Sequence, residues 1–291
     1  MSYDLYLKPR TGSIDAATVL DYFRRRPKYT VSGEQAGYEN EDTGVAFFFN
    51  INHGEPGEPT ADYPVLFNLA YFRPSFFSVE AEPEVTAFVR SFDCVVLDPQ
   101  TDGMGQGEYQ ADKLVAGWRC GNQFACQAVL ALDNAPNSIF TLPADKLHTV
   151  WQWNYDRASF QDRIENDRFV PLIVFLQVDG RLSTAIVWGD GVAMAFPVVD
   201  YILVARRELA PRRWIKQTPD TTLLTWQDAV EIMEPYICRY GDGSFGLSYD
   251  RTPEPLRDAI RRLGRSSQTL QLVGAESVLD AELIDKFLKP R

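Results

Sequence analysis

Histidine is almost missing from this chain of 291 residues; there are two, His53 and His148. Neither has a second ligand at helical spacing, and no HExxH motif or Cys/His cluster occurs, so a metal centre is not expected. His53 lies in NHGEP, a loop, and His148 opens an aromatic helical stretch where a capping or core role fits better than catalysis. Cysteine is also scarce. Cys94, Cys120, Cys126 and Cys238 form no CxxC pair, which fits reduced thiols better than a disulfide framework. No serine sits in GxSxG. No apolar run approaches the roughly 20 residues that span a bilayer. The first ten residues, MSYDLYLKPR, contain an early acid and no apolar segment of a secretory signal. The expectation is a cytoplasmic protein that engages no membrane and uses no cofactor.

Basic residues are missing from one long stretch. Between Tyr29 and Asp112 there are 15 acids and two bases, Arg73 and Arg90. The whole chain carries −11; residues 1–150 hold −9 of it and residues 151–291 hold −2. Affinity for nucleic acid rests on Lys and Arg neutralising phosphates, so this stretch excludes such a surface. It suits a basic protein partner, and the bland reading of the same charge is a solubilising surface.

What the chain has in quantity is aromatic rings: 18 Phe, 13 Tyr and 6 Trp. Large rings are therefore expected to dominate the core. Tyr3, Leu5 and Leu7 alternate with Asp4 and Tyr6, the pattern of a half-buried strand. Ser13 reads as the N-cap of a helix with Ile14, Ala17 and Phe23 on one face and Pro27 at its end. Strands follow near 29–32 and 37–40, then VAFFFNI at 45–51, apolar on both faces and expected to be central or packed into an interface. Residues 66–100 give a strand, the proline turn YFRPSFF, a helix from Pro83 to Phe92 and a strand at 94–97. The order resembles a ferredoxin-like sandwich.

Helices are expected at 109–132 and 145–166, then strands at 172–178, 182–188 and 198–206, with Asp179-Gly180 as a hairpin turn. Further helices are expected at 225–239, 253–263 and 276–288. The fold class is thus α+β: a ferredoxin-like βαββαβ-type N-terminal sandwich, followed by helices and an antiparallel three-stranded sheet. The expected division is 1–134 and 135–291, packed as one unit.

Four local features invite a functional reading. Gly103, Gly105 and Gly107 follow the strand CVVLD, and such a loop can cradle phosphate. It lacks the spacing of GxGxxG and the Lys of a P-loop, and Asp98, Asp102 and Glu108 surround it. VWQWNYDR, with Trp151, Trp153 and Tyr155, reads as an aromatic platform or, more simply, as a helix core with one exposed edge. Arg206-Arg207 and Arg212-Arg213-Trp214 form a basic run that binds an anion or marks a solvated turn. Abundant Asp and Glu leave open a carboxylate enzyme acting on a small nucleotide or sugar.

Patches of the chain resemble a bacterial family: MSYDLYLKPR at 1–10, YFRPSFF at 71–77, VVLDPQ at 95–100, VWQWNYDR at 150–157, RFVP at 168–171 and PVVDYILVARR at 197–207. Its members resemble immunity proteins that accompany secreted or contact-dependent antibacterial toxins, type VI effectors among them. The resemblance implies an inhibitor, not an enzyme, that binds and occludes its cognate toxin protein, a basic nuclease. The expected contacts are Glu39, Glu41, Asp42, Glu55, Glu58 and Asp62, with Phe76 and Phe77 of the YFRPSFF turn as aromatic anchors if their rings are exposed.

Overall fold

The structure is a computed structural model that describes residues 1–100, 103–132, 139–164, 168–210, 220–239 and 245–284. It is a mixed α+β fold with several sheets. The chain divides into two compact units, Met1–His148 with Glu276–Arg291, and Thr149–Ala275. The C-terminal segment thus joins the first unit.

In chain order the first unit begins with β1 (Ser2–Pro9), α1 (Ala16–Arg24), β2 (Tyr29–Ser32), β3 (Gln35–Asn40), β4 (Val45–Ile51) and β5 (Val65–Ala70). α2 (Phe76–Phe92), β6 (Cys94–Asp98), β7 (Gly105–Glu108), α3 (Ala111–Leu130) and β8 (Phe140–Leu142) follow. Seven strands form one sheet in the order β2-β3-β4-β5-β1-β6-β7, with every neighbouring pair antiparallel. β5 and β6 flank β1, with α2 linking them. The sheet is wider than a four-stranded ferredoxin-like sandwich: after α1 the chain enters at the far edge and returns toward β1 through a meander of β2, β3, β4 and β5.

One face of this sheet is a layer of rings. Phe47, Phe49 and Phe67 are buried against Phe23 of α1 and Phe88 of α2. The centroids of Phe23 and Phe49 lie 4.6 Å apart, and those of Phe49 and Phe88 5.4 Å apart. Each buried ring contributes roughly 1.5–3 kcal/mol. The layer also sets the start of α2. The helix begins at Phe76, seven residues before the expected Pro83, because Phe77, Ala81, Val85 and Phe88 continue one buried stripe. Pro83 sits inside the helix, where it forfeits one helical hydrogen bond that the stripe outweighs. The N-cap of α1 is Asp15 rather than Ser13; its carboxylate accepts the Thr18 N–H at 2.7 Å.

α4 (Ala144–Arg163) follows β8. The second unit then contains β9 (Val174–Val178), β10 (Arg181–Gly189), β11 (Ala195–Phe196), β12 (Tyr201–Arg206) and β13 (Asp220–Thr225). α5 (Trp226–Met233), β14 (Ile237–Arg239), β15 (Phe245–Leu247), α6 (Glu254–Arg262) and β16 (Leu270–Val273) complete it. The Asp179-Gly180 hairpin forms, with φ of 48° and 86°, the left-handed pair that a two-residue turn needs.

The expected antiparallel three-stranded sheet is corrected. The sheet has five strands, in the order β13-β12-β10-β9-β16, and β12 runs parallel to β10. The cause is a reversal after β10. Asp190 and Gly191 take φ of 45° and 72°, and residues 190–200 carry the chain back. The Asp190 carboxylate accepts the N–H groups of Arg207 at 2.9 Å and of Glu208 and Leu209 at 3.1 Å, which ties the ends of the two strands together.

Two expected helices are also shortened. α5 stops at Met233, and a 3-10 turn containing Pro235 leads into β14. In the C-terminal segment Val278–Asp280 is a strand, β17, parallel to β8, and among the described residues the helix (α7) spans Ala281–Ile284. Leu279 and Ile284 still dock, packing with Cys126 of α3. Phe287 and Arg212-Arg213-Trp214 lie outside the described residues.

Arg206 is buried beside Asp220 at 3.2 Å and also donates to the carbonyls of Ile260 (2.9 Å) and Leu263 (2.6 Å). Asp220 keeps Arg265 at 3.0 Å when Arg206 is removed, so the loss falls on the Ile260 and Leu263 carbonyls and on one of two cations beside the carboxylate. Arg206→Ala should destabilise the second unit by roughly 1–3 kcal/mol for each polar group left unpaired, measured by urea unfolding. The thiols give a separate check. Burial pushes Cys94 up to about 12 and Cys126 up to about 11, whereas Cys120 is exposed. Near pH 8, just below the ordinary thiol range, iodoacetamide should label native Cys120 and reach Cys94 and Cys126 only after unfolding, as read by mass spectrometry.

Candidate functional site

α1 and α2 cover one face of the seven-stranded sheet, and the pleat turns every second residue to the other. Register defines that second face. Thr30, Gly37, Phe48, Asn68 and Asp4 form one cross-strand row. Ser32, Gln35, Asn50, Leu66, Tyr6 and Leu97 form the next. The burial pattern agrees: Tyr3, Leu5 and Leu7 are buried in β1 while Asp4, Tyr6 and Lys8 are not, and Phe48 is 38% exposed between buried Phe47 and Phe49. The face therefore has an apolar centre of Phe48, Tyr6, Leu66, Val95 and Leu97. Gln35 donates to Asn50 at 2.8 Å and Asn68 donates to Asp4 at 2.5 Å, a polar band across it.

The expected acidic contacts distribute around this face. Glu39 lies on it, exposed and opposite Ala46. Glu41 and Asp42 occupy the β3–β4 turn, and Glu55, Glu58 and Asp62 the β4–β5 loop, at opposite ends of β4. β4 is roughly 20 Å long, so these acids do not form one patch. They stand at two ends of a shared face. Burial, then Asp4 and then Glu58, raise the Tyr6 phenol. Lys8 also belongs to this face, and its ammonium sits 4.5 Å from the centroid of the Tyr63 ring.

The aromatic anchors are corrected. Phe76 and Phe77 are 2% and 1% exposed. They begin α2 and point into the core, so they cannot touch a partner. The YFRPSFF turn is held from within. Buried Asn122 accepts the N–H groups of Phe72 at 2.7 Å and Arg73 at 3.3 Å and donates to the Arg73 carbonyl at 2.8 Å. Asp280 accepts the Ser75 N–H at 2.8 Å and its hydroxyl at 2.5 Å. On the open face of this sheet the ring that reaches the surface is Phe48. Its signal in the sequence is the middle place in three consecutive phenylalanines of a strand, where alternation must expose one if the other two are buried.

The glycine loop already surrounds an anion, the carboxylate of Asp98. That carboxylate accepts the N–H groups of Gln100 at 3.0 Å and Met104 at 2.9 Å, and the hydroxyl of Tyr3. Burial, then this hydrogen bond, raise the Tyr3 phenol. Gly103 lies so close that a Cβ there would fall 2.3 Å from the carboxylate. Among the described residues the N–H groups of Gln100 and Met104 go to Asp98 and that of Gly103 to the Gln100 carbonyl, and Gly105–Glu108 is an edge strand rather than loop.

Other expected features have structural partners. His53 pairs with Glu34 at 2.8 Å on the surface. Trp153 donates to the Pro171 carbonyl at 2.8 Å, Trp151 is 7% exposed, and Tyr155 alone of that aromatic group is exposed, at 39%. Among the described residues no three His, Cys, Asp or Glu side chains gather in metal-binding fashion, and no helix is long and apolar enough to cross a membrane. A cleft of about 570 Å³ beside α3 is lined by Tyr71, Gln100, Cys120 and Phe124, and no charged side chain is found among the described residues of its wall. No family model matches the chain, and neither a curated protein nor a solved structure matches it.

Asp98→Ala should leave the two loop N–H groups and the Tyr3 hydroxyl unsatisfied, at about 1–3 kcal/mol of stability. In the unmutated protein, phosphate or ATP should leave the melting temperature unchanged; a clear rise would assign the loop to a nucleotide.

Proposed function

We propose that this protein binds and occludes a basic protein, in the manner that its resemblance to immunity proteins implies, through the open face of the seven-stranded sheet. The observation that carries this reading is the composition of that face. Exposed Phe48 lies against Gly37 of β3, and Tyr6 stands opposite Leu66 in the next cross-strand row. Asp4 and Glu39 stand on it, and Glu41, Asp42, Glu55, Glu58 and Asp62 at its ends. An aromatic centre with an acidic rim is the arrangement in which a few desolvated contacts supply most of the affinity. The rim charges raise the association rate of a basic partner and disfavour acidic ones. A nuclease toxin has the required chemistry, since its surface must attract phosphate.

The test is a binding measurement with the product of the neighbouring gene, first by pull-down and then by titration. Phe48→Ala should weaken the complex by about tenfold or more. Glu39→Lys should act chiefly on association rate and flatten the salt dependence. Glu231→Lys, exposed on α5 in the second unit, is the control and should change nothing. No complex, or a complex indifferent to both face variants in low salt, would discard the proposal.

A further inference from the structure

The two large sheets have four edge strands: β2 and β7 in the first, β13 and β16 in the second. An edge presents unpaired backbone N–H and C=O groups, and folded proteins blunt such edges with charge, bulges, polar side chains or a covering segment. Three of these edges are blunted. β7 contains Gly105 and Gly107 at φ of 67° and 149°, and its Glu108 pairs with Arg10 at 2.7 Å. β13 is covered by residues 264–266: the Ser266 N–H donates to the Thr221 carbonyl at 3.5 Å, and the Ser266 hydroxyl accepts from the Leu223 N–H. β2 follows Lys28, at φ of 67°, and turns Thr30 and Ser32 outward.

β16 has no charged side chain, no positive-φ residue and, among the described residues, no covering segment; its one polar side chain is Gln271. It reads Leu270-Gln271-Leu272-Val273, within a segment from Ser266 to Ala275 that holds no charged residue. Leu272 is 70% exposed. The register shows which backbone groups are free. The Asp179 N–H donates to the Thr269 carbonyl at 3.1 Å, and the Thr269 N–H donates to the Asp179 side chain at 3.0 Å, so Thr269 faces β9. Hydrogen-bonding direction alternates along an antiparallel strand. Leu270 and Leu272 therefore direct their N–H and C=O groups away from the sheet, where no described strand meets them.

We propose that β16 pairs with β16 of a second copy of this chain, antiparallel about a two-fold axis. Two identical edges related by such an axis are necessarily antiparallel, the sense in which β16 already pairs with β9. With Gln271 on the axis opposite itself, Leu270 of each copy faces Leu272 of the other, and about four backbone hydrogen bonds close. Leu272 gains an apolar neighbour. It also extends the apolar sheet face of Leu176, Val178 and Ala185. Charge favours a like partner at this place. The whole chain carries −11, so copies repel one another across acidic surfaces, and the uncharged β16 segment avoids that cost. Two four-residue edges bury well under roughly 1,200 Å², so the dimer is weak and depends on concentration.

Light scattering of the full chain over a concentration series tests this. The mass should rise from the monomer value of 33.0 kDa toward twice that. Leu272→Pro, which removes an outward N–H, and Leu272→Lys, which charges the edge, should each raise the dissociation constant about tenfold or more while circular dichroism stays unchanged. Hydrogen exchange of the unmutated protein gives a reading independent of any variant: the Leu270 and Leu272 amides should exchange quickly when dilute and slowly when concentrated. A mass that stays monomeric at every concentration, fast exchange of both amides throughout, or a dimer untouched by both variants would overturn the proposal.

Discussion

The ring layer of Phe23, Phe47, Phe49, Phe67 and Phe88 is the constraint from which most of the first unit follows. These rings can leave water only if β4 and β5 turn their odd-numbered residues toward α1 and α2. With a side-chain period of two, a slip of one residue would expose Phe47 and Phe49 and bury Phe48 and Asn50. The core therefore dictates what the opposite face displays. Phe48 and Glu39 are outward because their neighbours are inward, so the composition of the candidate surface follows from the packing of the interior.

Buried polar side chains fix the turns that the rings leave undetermined. Asn122 and Asp280 hold the segment before α2, and Asp98 holds the loop after β6. Glu80 accepts from Tyr38 at 2.9 Å and Asn40 at 2.6 Å next to the β3–β4 turn. In the second unit Asp190 does the same for the end of β12, and Arg206 with Asp220 for the segment after α6. Asn122, Asp280, Glu80 and Arg206 come from distant parts of the chain and satisfy groups otherwise left unpaired, whereas Asp98 acts on its own loop and part-exposed Asp190 on residues 17–19 positions later. Their partners are up to 205 residues away. This explains why features that look chemical in the sequence, such as the glycine loop, are structural: the group that occupies the loop belongs to the protein itself.

The elements that were legible have their cause within a few residues. β1 alternates, and the Asp179-Gly180 turn allows only positive φ at modest cost. The helices near 111–130 and 254–262 show one apolar face between clear ends. The elements that were not legible have distant causes. β12 is parallel because Asp190 captures the N–H groups of residues 207–209, and nothing in its own residues distinguishes parallel from antiparallel. β17 replaces part of an expected helix because β8 offers it a partner 138 residues earlier.

The candidate surface divides along the same line. Sequence alone determined that the stretch from Tyr29 to Asp112 is acidic, and that large rings must be placed either in a core or on a surface. Charge and ring content are properties of composition, and folding does not change them. Only the tertiary structure decided that Phe76 and Phe77 are interior, that Phe48 is exposed on the open sheet face, and that the acids stand at two ends of β4. Exposure depends on which residues from elsewhere in the chain come to cover a side chain, and that is settled by packing across the whole unit.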